Sequence, residues 1–243
     1  MVKKSQTHCS QNCNITFKIL IGIVVALVVF ALGLGIGQAF RPITNDTLPP
    51  AEAGTGERGA QFGVDANINE ATIDDYLGRS DSVYRDMRLL VDPADYSAIG
   101  GDSYLSGYVD GFEIVPYPYL VNVTGLPEAV GQSYTGPTLF TINEDGSYTA
   151  NYKESMAILE DLFPKDKNIF LMCGGAGYAG QTKDLLTKLG WDASKIYNVG
   201  GYWNYTGAHK IEIKQTSASG ETTYAFWKIP YHTIDFTTLT PAT

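Results

Sequence analysis

Histidine, cysteine and positive charge are all scarce in this 243-residue chain. Its three histidines, His8, His209 and His232, are widely spread, and its three cysteines are Cys9, Cys13 and Cys173. A structural zinc needs four clustered ligands, and His8 beside Cys9 and Cys13 does not complete such a set. A Ser-His-Asp triad has equally little material. No metal site and no cofactor is therefore expected. Three cysteines cannot build a disulfide framework either. Lys and Arg total 17 against 26 Asp and Glu, a net charge of −9. A phosphate backbone would be repelled, so nucleic acid is not an expected partner.

One long apolar run is present. Ile19 to Gly37, ILIGIVVALVVFALGLGIG, carries no charge and approaches the ~20 residues a helix needs to cross a bilayer. Lys3, Lys4 and Lys18 precede it with no acid among them, which puts the N-terminus in the cytoplasm and everything after Phe40 outside. Gly37-Gln38-Ala39 resembles a small-x-small cleavage site, so a cleaved signal and a secreted domain form the competing reading. The run exceeds the roughly 7–15 apolar residues of a signal peptide, which favours a retained anchor. The predicted organisation is a short cytoplasmic tail (1–18), a single-pass anchor in the cell membrane (19–39), a Pro/Gly/Thr-rich linker (40–62) and a folded domain (63–243). Without the three N-terminal lysines the exported part has 14 basic and 26 acidic residues, a net charge of −12. Its single thiol, Cys173, is unusual outside the cell.

Short apolar stretches alternate with helical patterns along the domain. Asn69–Leu77 reads as a short capped helix, Ser82–Met87 as a strand, and Asp92–Tyr96 as a helical turn with Pro93 in its first turn. Phe112–Pro116 reads as a second strand. Thr138–Ile142 and Ser147–Asn151, joined by Asn143-Glu-Asp-Gly146, predict a hairpin within an insertion at about 125–152. Lys153–Phe163 has helical spacing and stops at Pro164. A strand at 168–172, a helix at 181–189 and a strand at Lys195–Val199 follow. His209–Lys214 and Thr222–Ile229 suggest a C-terminal hairpin extension. The order implies an α/β domain with a mostly parallel central sheet flanked by helices on both faces.

Cys173 closes the apolar run Asn168-Ile-Phe-Leu-Met-Cys173 and opens Gly174-Gly-Ala-Gly-Tyr-Ala-Gly180. A thiol facing loop N–H groups and a helix N-terminus lies in positive potential, which favours a thiolate and a bound anion. Gly175-x-Gly177-x-x-Gly180 also matches a dinucleotide fingerprint. That motif needs an acid at the end of the next strand to hold the ribose, and Tyr197-Asn198-Val199-Gly200 offers none. An inert, buried strand-end cysteine is the remaining competitor.

Several segments, in order, resemble the rhodanese-like family. Asp86-Met-Arg88 matches its Asp-x-Arg, with Asp92-Pro-Ala-Asp-Tyr96 after it. Gly107-Tyr-Val-Asp-Gly111 is similar to its Gly-His-Ile-Pro-Gly region, with Tyr108 in place of the histidine. Cys173 lies at the position of its active-site cysteine, and Gly200-Gly201 with Trp203 matches its closing Gly-Gly-x-x-x-Trp at shorter spacing. The resemblance spans roughly residues 65–207. It implies a sulfurtransferase in which Cys173 takes sulfane sulfur from a donor as a persulfide and passes it to a thiol acceptor. Gly174, Gly175, Ala176, Gly177 and Tyr178 would form the anion cradle, with Asp86, Arg88, Tyr108 and Trp203 in support. Asp86 and Arg88 read more simply as a structural ion pair or a loop-capping pair. Tyr178 stands where members active on thiosulfate carry a basic residue, which predicts a neutral or polysulfide donor, or a thiol-linked partner, in place of a dianion. The alternative is a catalytically inactive rhodanese-like binding module at the cell surface, whose protein partner the sequence does not identify.

Overall fold

The computed structural model describes residues 47–54, 62–89, 107–122, 134 and 136–242. The predicted anchor and its cytoplasmic tail, the turn at 92–96 and the early part of the insertion lie outside these residues. No helix among the described residues is long and apolar enough to cross a membrane.

Among the described residues are ten strands: β1 (Ser82–Asp86), β2 (Gly107–Val109), β3 (Glu113–Ile114), β4 (Phe140–Ile142), β5 (Tyr148–Ala150), β6 (Asn168–Cys173), β7 (Ile196–Gly201), β8 (Lys210–Glu212), β9 (Lys214–Thr216) and β10 (Thr222–Tyr224). The α-helices are α1 (Tyr117–Leu120), α2 (Ser155–Leu162) and α3 (Gly177–Lys188). Strands β3-β1-β6-β7 form a parallel four-stranded sheet in that order. The chain is thus α/β, as its element order predicts.

Strand β6 shows why an uncharged run belongs in the middle of this sheet. Successive side chains point to opposite faces. Ile169, Leu171 and Cys173 enter one core with Leu159 and Leu162 of α2 and Ala179, Leu185 and Leu186 of α3. Phe170 and Met172 enter the other, among Ile68, Ile73, Tyr84, Phe112, Tyr197 and Tyr202. On that second face Tyr84, Phe170 and Tyr197 stack across three strands at centroid spacings of 5.0 and 4.7 Å. Among the described residues its cover is a 3-10 turn (Ile73–Tyr76) and aromatic side chains, where helices were expected on both faces. Bulky rings fill much of that face.

Helix α2 ends one residue before Phe163, because a residue preceding proline is driven out of helical geometry. Arg85 Nε donates to the Leu162 carbonyl at 2.9 Å, satisfying one of the carbonyls left open at that helix end. The predicted hairpin is present as β4 and β5, with Gly146 at φ 77° in its turn. It is not peripheral, since Leu139 and Phe140 are fully buried in the first core.

Two expectations are corrected. The C-terminal extension is not one hairpin over 209–229. Strand β8 pairs with β2, Tyr108 opposite Ile211, and only β9 and β10 pair with each other. The edge of β2 has backbone groups that need partners, and Gly107 lets the chain approach closely enough to supply them. A Cβ there would meet the Ile211 carbonyl. Residues 47–54, read as linker, are bonded to the edge of the domain: Ala51 N–H donates to the Ser194 carbonyl at 2.7 Å and Tyr197 Oη to the Pro49 carbonyl at 2.6 Å.

Candidate functional site

The carboxyl ends of the parallel strands place the chemistry. Asp86 ends β1 opposite Met172, and Cys173 ends β6 opposite Gly201 of β7. Between Leu171 and Met172 the register with β7 shifts by one residue, so that Met172 faces Gly200. This bulge needs glycine: Gly200 has φ 101°, and a side chain there would run into the Glu70 carboxylate.

After Cys173 the chain turns through Gly174, Gly175 and Ala176 into α3. The indole of Trp203 lies against Gly174 and Gly175, filling the space a Cβ would take, and Trp203 N–H donates to the Gly174 carbonyl at 3.2 Å. Ala176 has φ 80°, the one positive φ among described non-glycine residues. The turn brings the backbone N–H groups of Gly175, Tyr178 and Ala179 onto the sulfur of Cys173. Of the five loop residues expected to form the cradle, Gly175 and Tyr178 direct N–H groups to the thiol, and Ala179 of α3 adds a third.

Its electrostatics differ from the expectation. Cys173 is 3% exposed, and burial pushes its thiol above the ordinary cysteine range. The three N–H groups pull the other way, while the Asp86 carboxylate adds to the rise. Burial prevails, because three partial positive charges do not replace the hydration lost by a thiolate. Burial thus disfavours the thiolate.

Asp86 and Arg88 form a buried ion pair. Arg88 Nε donates to both carboxylate oxygens at 2.9 Å, and its Nη2 donates to the Gly107 carbonyl at 3.0 Å. The guanidinium also lies 4.3 Å from the centroid of the Tyr202 ring. With Arg88 2% exposed and Asp86 fully buried, the pair ties the end of β1 to β2.

Tyr178 stacks on Tyr117 at 5.1 Å, and its hydroxyl is pushed up to about 12 by burial and by the nearby Cys173. Tyr108 is placed differently from the other expected site residues: its hydroxyl donates to the Lys228 carbonyl at 3.0 Å, in the C-terminal segment. Gly177 is exposed and opens α3.

Two residues that pattern reading passed over belong to this site. Tyr117, on the short helix α1, supplies the ring beneath Tyr178. Asn198 places a buried amide against the loop, donating to the Ala176 carbonyl at 3.2 Å. The available signal was a lone amide in the buried strand Ile196-Tyr-Asn-Val-Gly-Gly201, since such a group is costly unless hydrogen-bonded. No group of His, Cys, Asp and Glu among the described residues could hold a metal ion. Comparison of the chain with protein-family models, with curated proteins and with solved structures gives no match.

Proposed function

We propose that this chain is a membrane-anchored, extracytoplasmic sulfurtransferase of the rhodanese-like kind that carries sulfane sulfur as a persulfide on Cys173. One observation carries the reading: the N–H groups of Gly175, Tyr178 and Ala179 converge on a strand-end thiol in a loop that contains no lysine or arginine. In the forward step Cys173 gives up its proton as its sulfur attacks the outer sulfur of an organic persulfide or polysulfide, the donor leaves as a thiolate, and that thiolate takes up a proton from solvent, so that the proton count is conserved. An acceptor thiolate then attacks the outer sulfur of the Cys173 persulfide, and Cys173 leaves as thiolate. Both steps move one sulfur atom without net oxidation. The N–H groups stabilise the anionic outer sulfur, as an oxyanion hole stabilises oxygen. A dianion such as thiosulfate would want a full positive charge, and a tyrosine stands at the loop end where the family carries a cation.

Mass spectrometry after exposure to a polysulfide donor tests this. The expected result is an adduct of about 32 Da on Cys173, removed by thiol and absent in Cys173→Ser. Its absence in folded protein excludes sulfur carriage. The alternative is an inactive binding module outside the cell. The near-complete burial of the thiol favours it, because burial disfavours the thiolate that must attack any donor. An alkylation rate at Cys173 no faster than that of an ordinary buried thiol, together with no sulfur adduct, is the outcome that selects it.

A further inference from the structure

Asn198 is a buried polar side chain to which the sulfur-carrier reading gives no task. It is 1% exposed on β7, opposite Leu171 of the cysteine strand. Its amide Nδ2 donates to the Ala176 carbonyl at 3.2 Å and to the Gly63 carbonyl at 2.9 Å, and its Oδ1 accepts from Gly200 N–H at 3.2 Å. Two carbonyls on one end and an N–H on the other fix which way the amide points. Its backbone carbonyl accepts from Asp65 N–H at 2.7 Å.

Ala176 is the residue that most needs holding. A left-handed φ is unfavourable for any residue with a Cβ, and persists only where the surroundings impose it. The carbonyl of this residue accepts from the Gly180 N–H at 3.0 Å in the first turn of α3 and from the Asn198 amide, whose other contact ties it to the segment entering the domain from the N-terminal side.

We propose that Asn198 is a positioning residue: its amide holds Ala176 in the conformation that turns the loop N–H groups onto Cys173, and its bond to Gly63 makes the entering segment part of the same brace. This rests on Cys173 being the reactive group of the site.

The consequence at the thiol has a definite sign. Cys173 is held by β6, by its pairing with Gly201 and by the first core, a frame the Asn198 amide touches only at the Gly200 N–H. Without the amide, Ala176 relaxes and the N–H donors leave the sulfur. Burial remains, and so do the neighbouring titratable groups. These are Asp86 of β1, paired with Arg88, and Tyr178 of α3, stacked on Tyr117 of α1. The thiol is then harder to ionise. A side chain that only filled space would act in the opposite direction, because loosening the core relieves burial, the largest influence on this thiol.

The test is the pH profile of Cys173 alkylation by iodoacetamide in the full-length protein in detergent, followed by peptide mass spectrometry. Asn198→Leu keeps the approximate shape and removes donor and acceptor. Its midpoint is expected to rise by ~0.5–1 unit, roughly a three- to tenfold loss of thiolate at a given pH below it. Adding Ala176→Gly, which takes positive φ freely, should recover a substantial part of that rise. Asn198→Ser keeps one donor and serves where Asn198→Leu does not fold, with a smaller rise expected. An unchanged or lowered midpoint in a folded variant overturns the proposal, as does a double variant without recovery. Alkylation needs no sulfur donor, so a protein that never forms a persulfide yet shows these shifts would remove the proposed activity and leave the role of Asn198 standing.

Discussion

At the sulfur of Cys173 two influences of opposite sign meet, and the balance has a consequence for stability. A thiol whose folded-state pKa is raised contributes stability that is full below the unfolded value of ~8.5 and is lost as pH climbs through the folded value. Urea unfolding at about pH 8 and about pH 10 should therefore show a larger alkaline loss in the parent protein than in Cys173→Ala. The difference is bounded by ~1.4 kcal/mol per pH unit between the two pKa values. Equal losses would show that burial does not dominate this thiol. The buried Asp86–Arg88 pair makes a second prediction of the same kind. Arg88→Met strands a carboxylate in the interior and should cost ~3–5 kcal/mol in unfolding free energy. Asp86→Leu combined with Arg88→Met should recover much of that loss, because a neutral pair carries no desolvation penalty.

Among the elements, the cysteine loop and the strand beside it depend on close approach. Gly200→Ala places a Cβ at φ 101° and against the Glu70 carboxylate, so it should destabilise by more than ~1 kcal/mol in chemical denaturation. Gly174→Ala collides with the Trp203 indole and should cost ~1–3 kcal/mol as an overpacked contact. The second core depends on its ring stack: Phe170→Ala removes the middle ring between Tyr84 and Tyr197 and should cost ~3–5 kcal/mol. A loss under ~1 kcal/mol would mean that the neighbours collapse into the space.

For the molecule as a whole, both edges of the central sheet are covered by its own chain. Asp65 bonds to Asn198 at the β7 edge. At the β3 edge Ile114 N–H donates to the Pro230 carbonyl at 2.8 Å, His232 N–H donates to the Ile114 carbonyl at 2.9 Å, and Tyr231 bridges Ile114 in parallel. The same C-terminal segment lays Ile234, Phe236 and Leu239 on the first core. A chain ending at Ala225 should consequently self-associate through the bared edge, detected as a concentration-dependent mass in sedimentation. A monomer under those conditions would show that the segment does not protect the edge.

Local pattern determined a good deal of this. The central strand Asn168–Cys173, the helix stop before Pro164, the hairpin turn at Asn143–Gly146 and the position of Cys173 at the head of a glycine-rich loop are all legible, because each is set by neighbours within a few residues. The Asp86–Arg88 pairing was legible for the same reason. Three matters depended on contacts between distant segments, whose partners no local pattern specifies. The partner of β2 proved to be β8, which lies about a hundred residues away. The amide of Asn198 met a loop and an entering segment from opposite ends of the domain. The sign of the shift at Cys173 followed from how completely two helices and the sheet exclude water. Sequence spacing can put a thiol beside a helix N-terminus, but hydration is lost only when the fold closes over it, and that loss outweighs the N–H groups.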